Sequence, residues 1–288
     1  MDDRFTKLPR YLEERTKIVR LAGDVPALVA HPDPEFSGPA PLVFWLHGRT
    51  AHKELDAGRY LRWVRAGIGA CAIDLPGHGE RAIEGWERPE RTLDVLEQAV
   101  GEIDAILDEL TDPTGPFAGA FDRTRIAIGG MSAGGMNALR RLCDPHSFRC
   151  ASVEGTTGAL RELYLAPEGE SGRRRGGWPV AHDPERVAEL DPLAHLETFE
   201  PIPLLALHSE SDEIIPWPTQ RKFLEALAGH YRARGADPAS IGVITWPETG
   251  APREHLGFGR YSNEAKNAQT EFFERWLAPE APQRQRGH

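Results

Sequence analysis

Residues 125–142 read ArgIleAlaIleGlyGlyMetSerAlaGlyGlyMetAsnAlaLeuArgArgLeu, and this segment carries the strongest indication of the fold. Its first four residues resemble the end of a buried strand, and the residues from Ala133 onward predict a helix. Between them, Gly130 and Gly134 stand two positions before and after Ser132. A sharp strand-to-helix turn strains its central residue and lets neighbouring chain pack closely only where glycine stands. The pattern predicts that Ser132 projects above a sheet as a nucleophile; the alternative is that it merely caps the helix.

Short apolar runs alternate with longer segments of helical periodicity on both sides of this turn. That alternation is typical of an α/β protein whose mostly parallel sheet is flanked by helices. The run ProLeuValPheTrpLeu at 41–46 has no polar alternation, as expected for a strand buried on both faces. Strands are predicted at 17–19, 26–30, 41–46, 70–73, 125–128, 150–153, 203–207 and 241–246, and helices at 54–65, 91–110, 133–142, 218–229 and 263–277.

The chain of 288 residues is long enough for one large core, so we expect a single domain over 1–288. Residues 156–201 interrupt the alternation with glycine, proline and charge, and we interpret them as a small cap inserted over the sheet. Apolar residues of this cap could line an acyl pocket, and its glycines would make its middle flexible. The apolar set is Leu160, Leu163, Leu165 and Trp178, and the glycines are Gly169, Gly172, Gly176 and Gly177. Residues 279–288 are expected to be a disordered tail.

A serine hydroxyl becomes a good nucleophile only when a base accepts its proton, and a histidine held by a carboxylate is the usual base. His230, His255 and His288 lie far enough beyond Ser132 to leave room for an acid between. His255 is favoured because it follows the predicted strand at 241–246 in a loop. His230 ends a predicted helix and His288 ends the chain. The alternative for His255 is an ordinary surface loop histidine.

The acid is predicted in the polar turn that follows the strand at 203–207. Asp212 is favoured over Glu210 and Glu213 because its shorter side chain, just before an apolar segment, is more easily held in one rotamer. A simple turn-forming role for Asp212 is the alternative.

Charge and apolar pattern argue against several kinds of partner. Asp+Glu 44 exceed Lys+Arg 34, and the net charge of -10 would repel nucleic acid. No apolar run approaches the roughly 20 residues of a membrane-spanning helix, and the charged N-terminus does not resemble a secretion signal. Cys71, Cys143 and Cys150 lie in or beside apolar stretches, which indicates reduced thiols. We therefore expect a cytoplasmic protein that binds neither nucleic acid nor membrane; the oligomeric state is left open.

Five motifs follow one another over about 40–275, nearly the whole chain. They are His47-Gly48-Arg49-Thr50, Asp74-Leu75-Pro76-Gly77-His78-Gly79, the glycine-flanked Ser132, the segment 208–216, and the late loop that carries His255. In this order they resemble the dienelactone-hydrolase and prolyl-oligopeptidase-like branch of the α/β hydrolases, and within it the small bacterial carboxylesterases. The resemblance implies an α/β-hydrolase fold and a catalytic triad of Ser132, Asp212 and His255. It also implies hydrolysis of small-molecule carboxylic esters, short-chain ones by our expectation, without a cofactor.

The resemblance further implies an oxyanion hole made by the backbone N–H groups of Arg49 and Ala133. The residue that corresponds to position 49 in such esterases is usually aromatic or glycine. Arg49 departs from that pattern and leaves room for an acidic or otherwise polar substrate.

Other functions remain compatible with these residues. A peptidase, thioesterase or lactonase would keep the triad, whereas a non-catalytic binding protein of this fold would generally have lost one member. His47, His52, Asp74 and His78 could be metal ligands, but they lie in turn motifs that the fold uses structurally, so no metal is expected. ArgArgArg at 173–175 could hold an anionic substrate group, although a solvated loop is favoured.

Overall fold

One eight-stranded sheet runs through the computed structural model, which describes residues 8–165 and 178–279. The strands are β1 Thr16–Leu21, β2 Val25–Ala30, β3 Ala40–Leu46, β4 Gly69–Ile73, β5 Phe121–Met131, β6 Cys150–Glu154, β7 Leu204–Ser209 and β8 Ile241–Trp246. Their order across the sheet is β1-β2-β4-β3-β5-β6-β7-β8. β2 pairs antiparallel with β1 and β4, and the remaining pairs are parallel. The parallel strands therefore end at one edge of the sheet, where sites in such folds form.

Helices connect the parallel strands and cover both faces of the sheet. They are α1 Arg10–Glu13, α2 Ala57–Arg65, α3 Thr92–Thr111, α4 Ala133–Arg141, α5 Leu160–Tyr164, α6 Pro184–Leu190, α7 Trp217–Ala233 and α8 Ser262–Trp276. This arrangement confirms the predicted α/β fold class. Among the described residues, no helix has the length and apolar character needed to cross a membrane.

β3 illustrates why a continuous apolar run folds as a central strand. All seven of its residues are buried, because alternate side chains enter cores on opposite faces of the sheet. Leu42, Phe44 and Leu46 belong to the core formed with α3, α4 and α7. Val43 and Trp45 belong to the core formed with α2 and α8.

Several element boundaries differ from those predicted, and two of these differences have a clear physical reason. The helix expected from Glu54 begins at Ala57, because turns occupy the residues before it and the Asp56 carboxylate accepts a hydrogen bond from the Trp45 indole at 2.8 Å. The strand expected at 125–128 extends over Phe121–Met131, since β3 pairs with it along most of that length.

The described parts of the predicted cap contain α5 and α6, which pack against each other, and α6 also contacts α3. We expected Leu160 and Leu163 to line an acyl pocket, but both side chains are buried in the core. The turn of α5 directs both into a buried cluster with residues of α3 and α6, and Leu165 packs at the edge of that cluster. That this segment acts as a cap stays a prediction. Gly169, Gly172, Gly176, Gly177 and Arg173–Arg175 lie outside the described residues, as do residues 280–288 of the predicted tail.

Candidate active site

The turn between β5 and α4 holds Ser132 in a strained conformation, with φ 53° and ψ -118°. A Cβ added to Gly130 would lie 2.4 Å from the carbonyl carbon of Gly134, and one added to Gly134 would lie 2.0 Å from the carbonyl oxygen of Leu46. Neither position has room for a side chain, which is the physical reason for the glycines around Ser132. Non-glycine residues in this region of backbone space are costly and concentrate at functional sites.

His255 lies above Ser132 on the loop that follows β8. Its Nε2 is 3.0 Å from the Ser132 Oγ, and its Nδ1 is 2.7 Å from Oδ2 of Asp212. A neutral imidazole that donates its Nδ1 proton to the carboxylate leaves Nε2 free to accept the serine proton. The structure thus brings together the three residues that the sequence predicts as a triad.

The turn after β7 fixes the carboxylate of Asp212. Its Oδ1 accepts backbone hydrogen bonds from Ile214 and Ile215, both at 2.8 Å, while Oδ2 is left to face His255. The competing acids lie elsewhere. Glu210 accepts a hydrogen bond from Thr245, and Glu213 is 3.7 Å from Arg253.

Sequence reasoning missed His208, a second histidine beside Asp212. Its Nε2 donates to the carbonyl of Ile215 at 2.8 Å and lies 3.7 Å from the Asp212 carboxylate. Burial lowers the pKa of His208, although the charge of Asp212 acts in the opposite sense. A neutral His208 fits a role in shaping the turn that carries the acid. Its sequence signal is that it is the first residue of the segment 208–216, at the end of β7.

Sequence reasoning also missed Glu254, which fastens the loop of His255. The Glu254 carboxylate accepts hydrogen bonds from Ser209 Oγ at 2.8 Å, from the Thr249 N–H and hydroxyl at 2.6 and 2.8 Å, and from the Gly250 N–H at 2.6 Å. Partial burial raises its pKa, but these hydrogen bonds outweigh burial and lower it to about 2. Arg253 and Glu254 both have positive φ, 55° and 51°, so the loop is bent sharply just before the base.

A cavity of about 440 Å³ opens above the triad, a volume suited to a small organic ligand. Trp178 lines this cavity, and its role in binding substrate stays a prediction. Trp178 is also 9% exposed and packs edge-on against Tyr164, with ring centroids 5.1 Å apart. The other lining residues are Gly48, Arg49, Thr50, Glu87, Pro89, Met131, Ser132, Pro179, Ile214, Arg253, His255 and Leu256. The sequence singles out Arg49, Ser132 and His255 among them. Most of the others are neighbours in sequence of the predicted motifs, and no sequence signal marks them.

The turn at His47–Arg49 lies against the nucleophile. A Cβ added to Gly48 would be 2.8 Å from the Met131 sulfur and 3.4 Å from the Ser132 Cβ. His47 supports this turn, because its Nδ1 donates to the Gly48 carbonyl at 2.6 Å and its Nε2 accepts the Leu75 N–H at 3.0 Å. The turn that carries Arg49 therefore packs against Ser132, and Ala133 follows Ser132 at the start of α4; an oxyanion hole would use the backbone N–H groups of these two residues. Their role as donors stays a prediction.

The other residues weighed as metal ligands have partners of their own. Asp74 accepts hydrogen bonds from the backbone and ammonium of Lys53, both at 2.9 Å, and His52 lies 2.9 Å from Glu54. His78 contacts the Pro76 carbonyl through Nδ1 at 2.8 Å. Within residues 8–165 and 178–279, no group of three His, Cys, Asp or Glu side chains is arranged to hold a metal ion.

Comparison with known proteins places this geometry in context. The model of the prolyl oligopeptidase family matches residues 117–280, which contain Ser132, Asp212 and His255. Esterase YjfP of Escherichia coli is 27% identical over 216 residues, covering 73% of this chain and 83% of that protein. The putative esterase YitV of Bacillus subtilis is 25% identical over 202 residues, covering 66% of this chain and 76% of that protein.

Solved structures share the fold. TT1662 from Thermus thermophilus superposes with a TM-score of 0.67 and 23% identity, over 93% of this chain and 99% of that one. A puromycin-hydrolyzing peptidase of Mycobacterium tuberculosis gives a TM-score of 0.67 and 22% identity, over 92% of this chain and 40% of the peptidase. At these identities the likeness concerns the fold alone.

Proposed function

The chain belongs to the prolyl oligopeptidase family, and we propose that it is a serine esterase that hydrolyses small carboxylic esters through an acyl-enzyme. The observation that carries the proposal is the continuous hydrogen-bond path from Ser132 through His255 to Asp212, at 3.0 and 2.7 Å, on the floor of the cavity. The names of the two curated relatives, both esterases, support the choice of ester over other acyl compounds.

Each residue of the path has one task in this mechanism. The Ser132 oxygen bonds to the ester carbonyl carbon while His255 takes the hydroxyl proton, and Asp212 stabilises the imidazolium that results. The backbone N–H groups of Arg49 and Ala133 would hold the oxyanion. When the carbonyl re-forms, the alcohol departs with the proton from His255. Water then attacks the acyl-enzyme by the same route and releases the acid.

Amide hydrolysis is the second candidate, because the family is named for a peptidase and a peptidase is among the structural neighbours. The two candidates differ in leaving group. An amine is a far poorer leaving group than an alcohol, so a site that cleaves amides must protonate it early.

A panel of matched acyl compounds tests the proposal. Purified protein is assayed with 4-nitrophenyl esters of increasing acyl length, with a thioester of one of these acyl groups, and with dipeptide amides. We expect the highest kcat/KM on short acyl esters. A higher kcat/KM on dipeptide amides than on any ester would replace esterase by peptidase.

We also propose a cytoplasmic location and a single domain whose segment 156–201 limits acyl length. Buried, reduced cysteines support the location. Cys71, Cys143 and Cys150 are free and buried, and burial raises the pKa of all three thiols, that of Cys143 to about 12. Thiols of this kind are typical of proteins in a reducing compartment.

A further inference from the structure

The side chain of Arg49 lines the cavity above Ser132. One terminal nitrogen donates a hydrogen bond to the backbone carbonyl of Glu87, and the guanidinium lies 5.8 Å from the ring of Trp178. Its Nε is buried and has no hydrogen-bond partner in the described part of the chain. Arg49 therefore reaches into the site with hydrogen-bonding capacity unused.

Arg49 also has no ion-pair partner in the part of the chain that the structure describes. Among residues 8–165 and 178–279, no carboxylate oxygen lies within 4.0 Å of its guanidinium. Arg81 is a useful contrast, since Glu102 binds both of its terminal nitrogens at 2.7 and 2.6 Å. Burial lowers the pKa of Arg49, with Tyr164, Glu87 and Glu90 acting in the opposite sense, but a guanidinium stays charged in proteins. A partly desolvated cation without a counter-ion favours binding of an anion.

The position of His255 indicates which part of the substrate Arg49 faces. His255 gives its proton to the departing alcohol, so the leaving group must lie beside it. Arg253 and Leu256 lie two residues before and one residue after His255 and line the same cavity, so they border the leaving group. Arg49 and Trp178, whose guanidinium and ring lie 5.8 Å apart, belong to other segments of the lining, which leaves them to border the acyl group.

We propose that Arg49 binds a carboxylate on the acyl group, so that the preferred substrates are half-esters of short dicarboxylic acids. This inference rests on the proposed function, because it assigns the substrate class of the same site. A guanidinium pairs with a carboxylate through two parallel hydrogen bonds, which adds geometric selectivity to charge attraction. The two terminal nitrogens carry four N–H groups; the Glu87 carbonyl accepts a hydrogen bond from one of these nitrogens, and the remaining N–H groups supply the donors.

Two features of the molecule repel an anionic substrate, but solvent and salt weaken both effects near Arg49. The net charge of -10 repels it at long range, but salt screens distant charges within about 8 Å at physiological ionic strength. The carboxylate of Glu87 lines the cavity but is exposed, so water weakens its repulsion. Glu87 makes a useful second variant, because its removal and that of Arg49 have opposite effects.

The test compares two esters that differ only at the end of the acyl chain. Mono-(4-nitrophenyl) glutarate and 4-nitrophenyl valerate have the same number of acyl carbons, and only glutarate ends in a carboxylate. The readout is the ratio of their kcat/KM values after subtraction of uncatalysed hydrolysis. We expect Arg49→Gln to lower this ratio by about 10-fold to 100-fold, the range of a charged hydrogen-bond pair. Arg49→Lys should keep part of it, and Glu87→Gln should raise it.

Arg221→Gln is the matched control, because this exposed arginine on α7 lies 3.6 Å from Glu225 and outside the cavity. A ratio that is the same in Arg49→Gln, Arg221→Gln and the unaltered protein would overturn the inference while leaving the esterase proposal in place.

Binding of glutarate itself, measured by calorimetry, decides the inference even if no ester is hydrolysed. Tighter binding by the unaltered protein than by Arg49→Gln supports the inference. Equal binding, or no binding to either, contradicts it.

Discussion

The backbone N–H of Ser132 donates a hydrogen bond to the carbonyl oxygen of Glu154 at 2.9 Å. This bond ties the turn of the nucleophile to the end of β6. The side chain of Glu154 points into the core beneath, where it pairs with Arg59 on α2. Both side chains are buried, and the carboxylates of Asp56 and Glu154 raise the pKa of Arg59 against the effect of burial. A buried ion pair thus underlies the strained turn.

Breaking that pair should be costly. Arg59→Met leaves the Glu154 carboxylate buried without its partner, and we expect a loss of about 3–5 kcal/mol in the free energy of unfolding. Urea denaturation measures it. Arg62→Met on the same helix is the control. The side-chain partners of Arg62 within the described residues are the neutral amides of Asn263 and Asn267, so its removal leaves no buried charge. Equal losses in both variants would contradict a special role for the pair.

Asp212→Asn should lower kcat by about 10⁴-fold with little change in melting temperature. The amide oxygen can still accept the N–H groups of Ile214 and Ile215, so the turn is kept. The amide nitrogen, however, would donate toward His255 and favour the tautomer that cannot accept the serine proton. Steady-state kinetics on an activated ester measures the loss. Glu213→Gln, one residue away, serves as control, and a comparable loss there would remove Asp212 from the triad.

Glu254→Gln should lower kcat by roughly 10-fold, because small displacements of a catalytic group are costly. The neutral amide accepts hydrogen bonds more weakly than the carboxylate that fastens the His255 loop. Glu248→Gln, at an exposed position of the same loop, should leave kcat unchanged. An unaltered kcat in Glu254→Gln would mean that other contacts hold the loop.

The pH dependence of stability gives an independent check on Glu254. Its pKa in the folded protein, about 2, lies below the ordinary value of 4.5. A carboxylate with a lowered pKa stabilises the fold fully above its unfolded pKa and loses that effect as pH falls toward the folded one. The melting-temperature gap between the unaltered protein and Glu254→Gln should therefore stay constant above about pH 5 and shrink below it. A gap that grows on acidification would contradict the assignment.

Trp178→Ala should change both stability and acyl preference, because Trp178 is packed on Tyr164 and also lines the cavity. We expect about 3–5 kcal/mol of lost stability and a shift of kcat/KM toward longer acyl esters. Trp276→Ala removes a partly buried tryptophan from α8, remote from the cavity, and should lower stability without the shift. Lost stability with an unchanged acyl profile for Trp178→Ala would make it a core residue only.

The fold could be predicted from sequence because its strongest signals are local. β3 is apolar at every position because both its faces are buried, and Gly130 and Gly134 stand where any side chain would meet backbone. The same locality made Ser132 recognisable, since strand, glycines and helix follow one another without interruption.

What the sequence did not indicate depends on distant segments meeting in space. Glu254 accepts a hydrogen bond from Ser209, which lies at the end of β7. Arg253 and Glu254 have positive φ, and neither is a glycine, so the sequence does not indicate this conformation. The burial of Leu160 and Leu163 depends on α6 and on α3, and α3 is far from α5 in sequence. Such contacts follow from packing of the whole chain rather than from any single motif.

Covalent labelling of Ser132 tests whether this residue is the nucleophile. A fluorophosphonate reacts with an activated serine by losing fluoride, and peptide mass spectrometry locates the adduct. We predict one phosphonyl group on the peptide that contains Ser132, and loss of both labelling and ester turnover in Ser132→Ala at an unchanged melting temperature. Full ester turnover by Ser132→Ala, or an adduct on another serine with Ser132 unmodified, would contradict the account.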